Sequence, residues 1–400
     1  MYTFNSNLRI GDIILVRGAA KHSKMIAKLT DGHFSHAMIA LENDIFLEAI
    51  TGSGVQATSM LRVSFKDKSN VIVLRCLFPD KETETNVLKY ITQNSAVYQG
   101  RKYSFKGAAE SIKKNGDDNT KGGYFCSHLV ASIYTDAGFP LIDKPTHKVT
   151  PNDLVITDVL EDVTDHVIGR FSDITLQRVK KKGEAINCID AGGDTLSKDA
   201  KNHRDLLKKS TKYFTRNGLK APNRCADFLD ILTDPKNADI AKELDYQISK
   251  QYKKIGINES LKSHVEGTNF VSDRLTVMSE IEKFGYDYAH EIYRSYNYLL
   301  LTSCVKLLNA QRNLELFKLC YDKWGLKYFY LKAVYQTLIA KAVSNIMDHY
   351  RDIIKDIEIK FSSNCDELRE TKKSIIAFAI NKQVDPEQRE ELVNYLRSLA

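Results

Sequence analysis

Apolar positions in the first part of the chain form short runs that are separated by turn residues. The clearest runs are Gly11–Gly18, Ser35–Leu41, Asp44–Ile50 and Asn70–Phe78, and a weaker one is Gly54–Leu61. Short runs rich in Val, Ile and Phe and bounded by turn residues predict β-strands.

Two stretches with helical periodicity follow these predicted strands. They span about residues 81–94 and 125–137, and Gly138 with Pro140 closes the second. Strands first and helices afterwards predict an α+β domain over residues 1–165.

The pattern changes after this first domain. Residues 166–200 are predicted to be a connecting region, with one further strand at Asp173–Val179. From residue 201 to 400 apolar positions recur three and four apart, and no proline lies between Pro235 and Pro386. This pattern predicts an all-α domain, a bundle of roughly four to six helices.

A cluster of tyrosines lies in the predicted helical domain. Its members are Tyr286, Tyr288, Tyr293, Tyr296 and Tyr298. Such a cluster serves either as an interaction surface or as a helical core whose hydroxyl groups reach the rim, and the second interpretation is favoured.

Composition and charge narrow the class of protein. With 43% hydrophobic and 27% charged residues the chain is typical of a soluble globular protein. Met1–Arg9 shows no signal-peptide pattern, so we expect synthesis in the cytoplasm, or export by a route that needs no signal peptide. The net charge of +7 arises entirely after residue 165. It suggests that the basic helical domain contacts an anionic membrane surface or a protein partner. A solvated basic surface without such a contact is commoner, and nucleic acid is disfavoured as a partner.

The seven cysteines bear on the chemistry. Their number is odd and no two of them are spaced as in CxxC. This favours reduced thiols over a disulfide framework or a zinc site, and leaves a cysteine free to act as a nucleophile.

Cys126 is the candidate nucleophile. It follows Gly122 and Gly123 in the segment GGYFCSHLV, at the first turn of the second predicted helix. A helix N-terminus stabilises a thiolate, and its free N–H groups can also hold an oxyanion. The competing interpretation is that a cysteine in an apolar helix is simply part of the core.

His36 and Glu48 are the candidate base and its orienting partner. If Glu42–Asp44 form a three-residue hairpin loop, Met38 faces Glu48 and His36 lies diagonally from Glu48 on the same face of the sheet. A two-residue loop would place Glu48 on the opposite face. The rival base is His33, whereas His128 lies about 200° around the helix from Cys126 and cannot readily reach its sulfur.

The order of six motifs resembles the circularly permuted branch of the NlpC-like papain-fold superfamily. The motifs are GDIILVRG, SHAMIAL, LEAI followed by GV, GRKYSF, YFCSHLV and TPNDLV, which together cover about residues 8–154. In that branch the histidine precedes the cysteine along the chain. The resemblance implies Cys126 as nucleophile, His36 as base and Glu48 as third member of a triad, with Tyr103 and Tyr124 at the substrate.

The resemblance implies a thiol hydrolase that cleaves an amide or ester bond, with a peptide, a peptidoglycan fragment or a lipid as substrate and no metal or organic cofactor. The sequence Phe125-Cys126-Ser127-His128 departs from the Asn-Cys-Glu-His signature of the lecithin retinol acyltransferase-like relatives. A lipid acyl hydrolase or acyltransferase at a membrane surface, and a secreted effector or toxin, remain alternatives. An alternative of another class is an inert papain-like scaffold whose helical domain binds a partner.

Overall fold

A computed structural model divides the chain into two compact units, Met1–Ser197 and Lys198–Ala400. The structure describes residues 1–5, 7–18, 33–41, 45–51, 54–59, 63–104, 123–170, 187–191, 198–267, 270–382, 389–390, 392–394 and 396.

The first unit is built on an antiparallel sheet. Its described strands are β1 (Tyr2–Phe4), β2 (Ile13–Val16), β3 (His36–Ala40), β4 (Ile45–Ile50), β5 (Gly54–Ser59), β6 (Val63–Ser64), β7 (Val71–Cys76), β8 (Leu160–Asp162), β9 (Ile168–Arg170) and β10 (Asn187–Cys188). Six of them pair in the order β5-β4-β3-β2-β7-β8. The five strands predicted before residue 80 are present, whereas the strand predicted at Asp173–Val179 lies outside the described residues.

In the described part of this unit, three α-helices accompany the strands: α1 (Lys81–Tyr98), α2 (Cys126–Asp136) and α3 (Thr164–Val167). The Asp80 carboxylate caps α1 by accepting a hydrogen bond of 2.7 Å from the Thr83 N–H. This helix runs one turn further than its periodicity predicts, because Tyr98 is buried and its hydroxyl donates to Asp136 at the end of α2.

The core of the first unit covers both faces of the sheet. All four side chains of β2 are fully buried, although they alternate between the faces. Helix α2 packs against β3 and β4 and contributes the fully buried Leu129, Val130 and Ile133. The start of α2 is therefore held rigidly beside the start of β3.

The predicted connecting region begins within the first unit. Strand β9 pairs with β1, and β10 pairs with β6. The Asp190 carboxylate also accepts hydrogen bonds from the backbone of Lys66 and Asp67 and from the Asn70 side chain. The described parts of residues 166–191 thus add to the sheet domain.

The described part of the second unit is helical. Its longer helices are α4 (Lys198–Arg216), α5 (Asp227–Thr233), α6 (Ala238–Ile255), α7 (Ile257–Gly267), α8 (Phe270–Phe284), α9 (Tyr286–Trp324), α10 (Lys327–Lys360) and α11 (Cys365–Lys382). The prediction of an all-α region is confirmed, but with more helices than the predicted four to six. Four glycines divide the long apolar pattern, since Gly256, Gly267, Gly285 and Gly325 each stand at a helix boundary.

The tyrosine cluster belongs to the core of the second unit. Tyr288, Tyr293 and Tyr296 are buried. The hydroxyl of Tyr288 donates to Glu280 and that of Tyr293 to Glu358, each over 2.8 to 2.9 Å. Buried rings with hydroxyls at carboxylates fit the core interpretation.

Within the described residues, no helix is both long enough and apolar enough to cross a membrane.

Candidate active site

The β3–β4 hairpin brings His36 and Glu48 together. Met38 pairs with Glu48, and the Leu41 N–H donates to the Ile45 carbonyl over 2.7 Å. This is the register that a three-residue loop predicts, although residues 42–44 lie outside the described residues. The His36 Nε2 atom lies 2.8 Å from Glu48 Oε2, so the imidazole and the carboxylate form the predicted diagonal pair.

The Glu48 carboxylate is fully buried and is held from the next strand. Its Oε1 atom accepts hydrogen bonds from Gln56 Nε2, at 3.1 Å, and from the Thr58 hydroxyl. Burial opposes its charge, but the hydrogen bond and charge of His36, together with these two donors, lower the pKa of Glu48. Glu48 is therefore an ionised acceptor.

The sequence analysis missed Gln56 and Thr58. The signal was present, because the two residues alternate on β5 and Gln56 directly faces Glu48. Two polar residues of one strand face, set against a strand that carries a carboxylate, indicate donors to that carboxylate.

Cys126 is the first residue of α2, and its side chain is buried. The first backbone hydrogen bond of the helix joins the Leu129 N–H to the Phe125 carbonyl at 2.9 Å. The N–H groups of Cys126 and Ser127 consequently have no partner within the helix. The sulfur lies 3.9 Å from the Ser35 carbonyl oxygen, at the residue next to His36.

His36 connects the thiol to the carboxylate. Burial disfavours its charged form, but the neighbouring Cys126 side chain, the hydrogen bond to Glu48 and the charges of both groups raise the pKa of His36 to about 10. Because Nε2 faces Glu48, Nδ1 is the nitrogen left for the sulfur. The His36 side chain remains 17% exposed, so a substrate can approach the imidazole.

A short segment of backbone passes close to the start of α2 and places Tyr103. Gly123 has φ 110°, and a Cβ atom there would lie 2.1 Å from the Lys102 carbonyl oxygen, so this close approach requires glycine. The same oxygen accepts from the Tyr124 N–H at 2.9 Å. Burial and the negative charge of a Cys126 thiolate raise the pKa of Tyr103. Gly122 lies outside the described residues.

Tyr124 has a different position. Its backbone pairs with that of Tyr103, but its ring contacts Tyr98, at 5.8 Å between centroids, and His128, at 4.7 Å. These contacts place the Tyr124 ring in the packing between α1 and α2.

The other histidines have their own environments. His33 is exposed, and its Nε2 atom lies 3.0 Å from the Ser69 carbonyl oxygen. The ring of His128 packs on Tyr124 and Phe125. His22 lies outside the described residues.

Asn152 is a second residue that the sequence analysis did not assign. Its amide both accepts from the Phe34 N–H and donates to the Phe34 carbonyl, each over 3.2 Å. It thereby fixes the backbone two residues before His36. Asn152 belongs to the motif TPNDLV, which gave no hint of this contact, since the two residues are 118 positions apart.

In the described part of the chain, no group of three or more His, Cys, Asp and Glu side chains lies in a position to hold a metal ion.

Comparison with known proteins does not identify a family for this chain. No protein-family model matches the chain, and no curated protein is similar to it. Among solved structures, the crystal structure of the metalloprotein yiiX from Escherichia coli O157:H7 shares 19% identity, covers 39% of this chain and 96% of its own, and has a TM-score of 0.28. A likeness at this TM-score carries no argument about fold or chemistry.

Proposed function

We propose that the chain is a cysteine hydrolase that cleaves an amide or ester bond, and that its first unit is a permuted papain-like domain. The observation that carries the proposal is the position of His36, which hydrogen-bonds to the Glu48 carboxylate and has as its other neighbour the Cys126 side chain at the N-terminus of α2, which raises the pKa of His36. A nucleophile, a base within reach of it and a group that orients the base make up a nucleophilic triad.

The proposed reaction proceeds by acyl transfer. The Cys126 proton resides on Nδ1 of His36, because the raised pKa of His36 favours the imidazolium beside a thiolate. The thiolate sulfur bonds to the substrate carbonyl carbon, and the π electrons of the C=O bond move to its oxygen. The N–H groups of Cys126 and Ser127, in the first turn of α2, stabilise the resulting oxyanion. The His36 imidazolium then protonates the leaving amine or alcohol as its bond to carbon breaks, and a thioester remains on Cys126. Water, deprotonated by His36, attacks the thioester and releases the acid and the thiol.

Glu48 supports both directions of proton transfer. Its carboxylate holds Nε2 of His36 and so leaves Nδ1 facing the sulfur. It also stabilises the imidazolium that forms in each step. The three hydrogen bonds to Glu48 keep it ionised in a buried position.

The experiment is a hydrolysis panel of peptide amides, peptidoglycan fragments, carboxylic esters and phospholipids. We expect wild-type protein and Cys76→Ala to release product, and Cys126→Ala to release none. Cys76 is a matched control because it is a buried thiol as well, in which burial alone raises the pKa to about 12.

Intact-mass measurement gives a second readout. A substrate analogue with a slowly hydrolysed acyl group should add the mass of that acyl group at Cys126 and at no other cysteine. Full turnover by Cys126→Ala, or acylation spread over several thiols, would contradict the proposal. No turnover of any substrate by wild-type protein would favour the inert scaffold.

A further inference from the structure

Helix α4 has a buried face and a basic face. Leu206, Ser210 and Phe214 are fully buried. At 100° per residue the exposed cations lie on the opposite side of the helix: Lys201, Lys208, Lys209, Lys212 and Arg216. Asp205 is the acidic residue among them.

Three of these cations have no carboxylate partner among the described residues. Lys209, Lys212 and Arg216 form no salt bridge with any residue that the structure describes. Some exposed lysines on other helices of the unit do: Lys262 pairs with Glu266, Lys360 with Glu282 and Lys373 with Glu370. Like charges four residues apart, as in Lys208, Lys212 and Arg216, destabilise a helix. A bound anion would remove that repulsion.

Helix α6 extends the basic face of α4. The Gln251 side chain donates to the Tyr213 hydroxyl over 3.3 Å, so the C-terminal halves of α4 and α6 lie side by side. The exposed lysines of this half of α6 are Lys250, Lys253 and Lys254.

The start of α10 adds one more cation. The nearby Lys327 side chain and its charge lower the pKa of Lys253, while Glu259 has the opposite effect. Two neighbouring ammonium groups repel each other, and both residues are exposed. An anion between them would convert the repulsion into attraction.

We propose that Lys209, Lys212, Arg216, Lys250, Lys253, Lys254 and Lys327 form a basic surface that binds the anionic headgroups of a phospholipid membrane. Clusters of Lys and Arg of this size attract acidic lipids. The cations lie on outward helix faces rather than along a groove of the kind that follows a nucleic-acid backbone.

Exposed tyrosines within the basic surface favour a membrane. Tyr246 is 57% exposed and lies under the Lys250 ammonium, and Tyr330, one turn after Lys327, is 52% exposed. Tyrosine is enriched at membrane–water interfaces, where its ring and its hydroxyl are both accommodated. The surface belongs to the second unit and does not depend on the proposed hydrolase activity.

The test is co-sedimentation of the full chain with vesicles of phosphatidylcholine, with and without phosphatidylserine, at low and high salt. We expect binding only to the vesicles that contain phosphatidylserine, and less binding at high salt. The triple variant K212E/R216E/K254E should bind roughly 100-fold more weakly. The matched control K262E/K360E/K373E, with the same change in net charge at ion-paired positions, should bind like wild type.

Three results would overturn the proposal. The first is equal binding to vesicles with and without phosphatidylserine, and the second is an equal loss of vesicle binding in the triple variant and in the control variant. The third is that the protein binds duplex DNA or RNA but does not bind vesicles. Cys126→Ala should bind vesicles like wild type. A failure of vesicle binding would therefore not contradict the proposed hydrolysis. A failure of hydrolysis would likewise not contradict the proposed vesicle binding.

Discussion

Each unit of this protein contains a histidine hydrogen-bonded to a carboxylate. In the first, His36 Nε2 lies 2.8 Å from Glu48 Oε2, and in the second, His349 Nε2 lies 2.8 Å from Asp273 Oδ2. The side chain of His36 is 17% exposed and that of His349 is 5% exposed. The two pairs thus have nearly the same hydrogen-bond geometry.

The groups around each pair differ. His36 also has the Cys126 thiol, at a helix N-terminus, as a neighbour that raises its pKa. His349 is surrounded by the rings of Phe270, Tyr296 and Tyr350, and beside it Arg274 joins α8 to Asp356 of α10 through two hydrogen bonds of 2.7 Å. A histidine–carboxylate pair alone is therefore no evidence of catalysis. The thiol defines the candidate site, and the second pair fastens two helices together.

The largest effect should come from removing the groups that only the first pair has. Cys126→Ala and His36→Ala each eliminate the activated nucleophile, so each should lower kcat/KM by several orders of magnitude. The double variant should be little worse than either, because the two residues act as a unit. Steady-state kinetics on the substrate found in the hydrolysis panel measures this, and additive losses would mean that the residues act separately.

A smaller loss is expected at Glu48. Glu48→Gln keeps an acceptor for His36 but removes the charge that stabilises the imidazolium, so activity should fall about 10- to 1,000-fold. The pH profile gives the specific readout. Because His36 must be protonated to act as an acid and its pKa is raised to about 10, wild-type kcat/KM should decline only near that pH.

The same variant should move the alkaline limb of the profile. The carboxylate is one of the groups that raise the pKa of His36, so Glu48→Gln should shift the decline to lower pH. A lower rate with an unmoved limb would show that Glu48 affects only the shape of the site.

The hairpin register could be predicted from the sequence because it depends on a few neighbouring residues. A loop of three residues fixes that Met38 faces Glu48, and the alternation of a strand then fixes the face of His36. Helix boundaries were equally local, since Gly256 and Gly325 adopt positive φ directly after α6 and α9.

Contacts between distant segments could not be predicted in this way. Asn152 reaches Phe34 only because the chain returns to the sheet after α2. The pairing of β1 with β9 likewise joins the two ends of the first unit. Apolar periodicity indicates that a segment is helical but does not give the number of separate helices. The number of helices in the second unit was underestimated for this reason.

A modest effect is expected from the residues that hold Glu48. Thr58→Val is nearly isosteric but removes one donor to Oε1, so the pKa of Glu48 should rise towards its usual value. We expect kcat/KM to fall about threefold to tenfold, which corresponds to roughly 1 kcal/mol. The fall should be largest at the acidic end of the pH profile. Thr92→Val is the control, because the buried Thr92 hydroxyl has no hydrogen-bond partner among the described residues. An equal loss in both variants would assign the effect to packing.

The smallest effect on catalysis is expected in the second pair. His349→Leu removes a donor to Asp273 in a nearly dry position, which should lower the free energy of unfolding by about 1–3 kcal/mol. Activity per folded molecule should remain that of wild type, because His349 has aromatic neighbours in place of a thiol. Urea unfolding and active-site titration of the same sample separate the two quantities. His264→Leu, at an exposed position on α7, should leave both within experimental error. If His349→Leu reduced turnover while stability stayed constant, the structural role assigned to the second pair would be wrong.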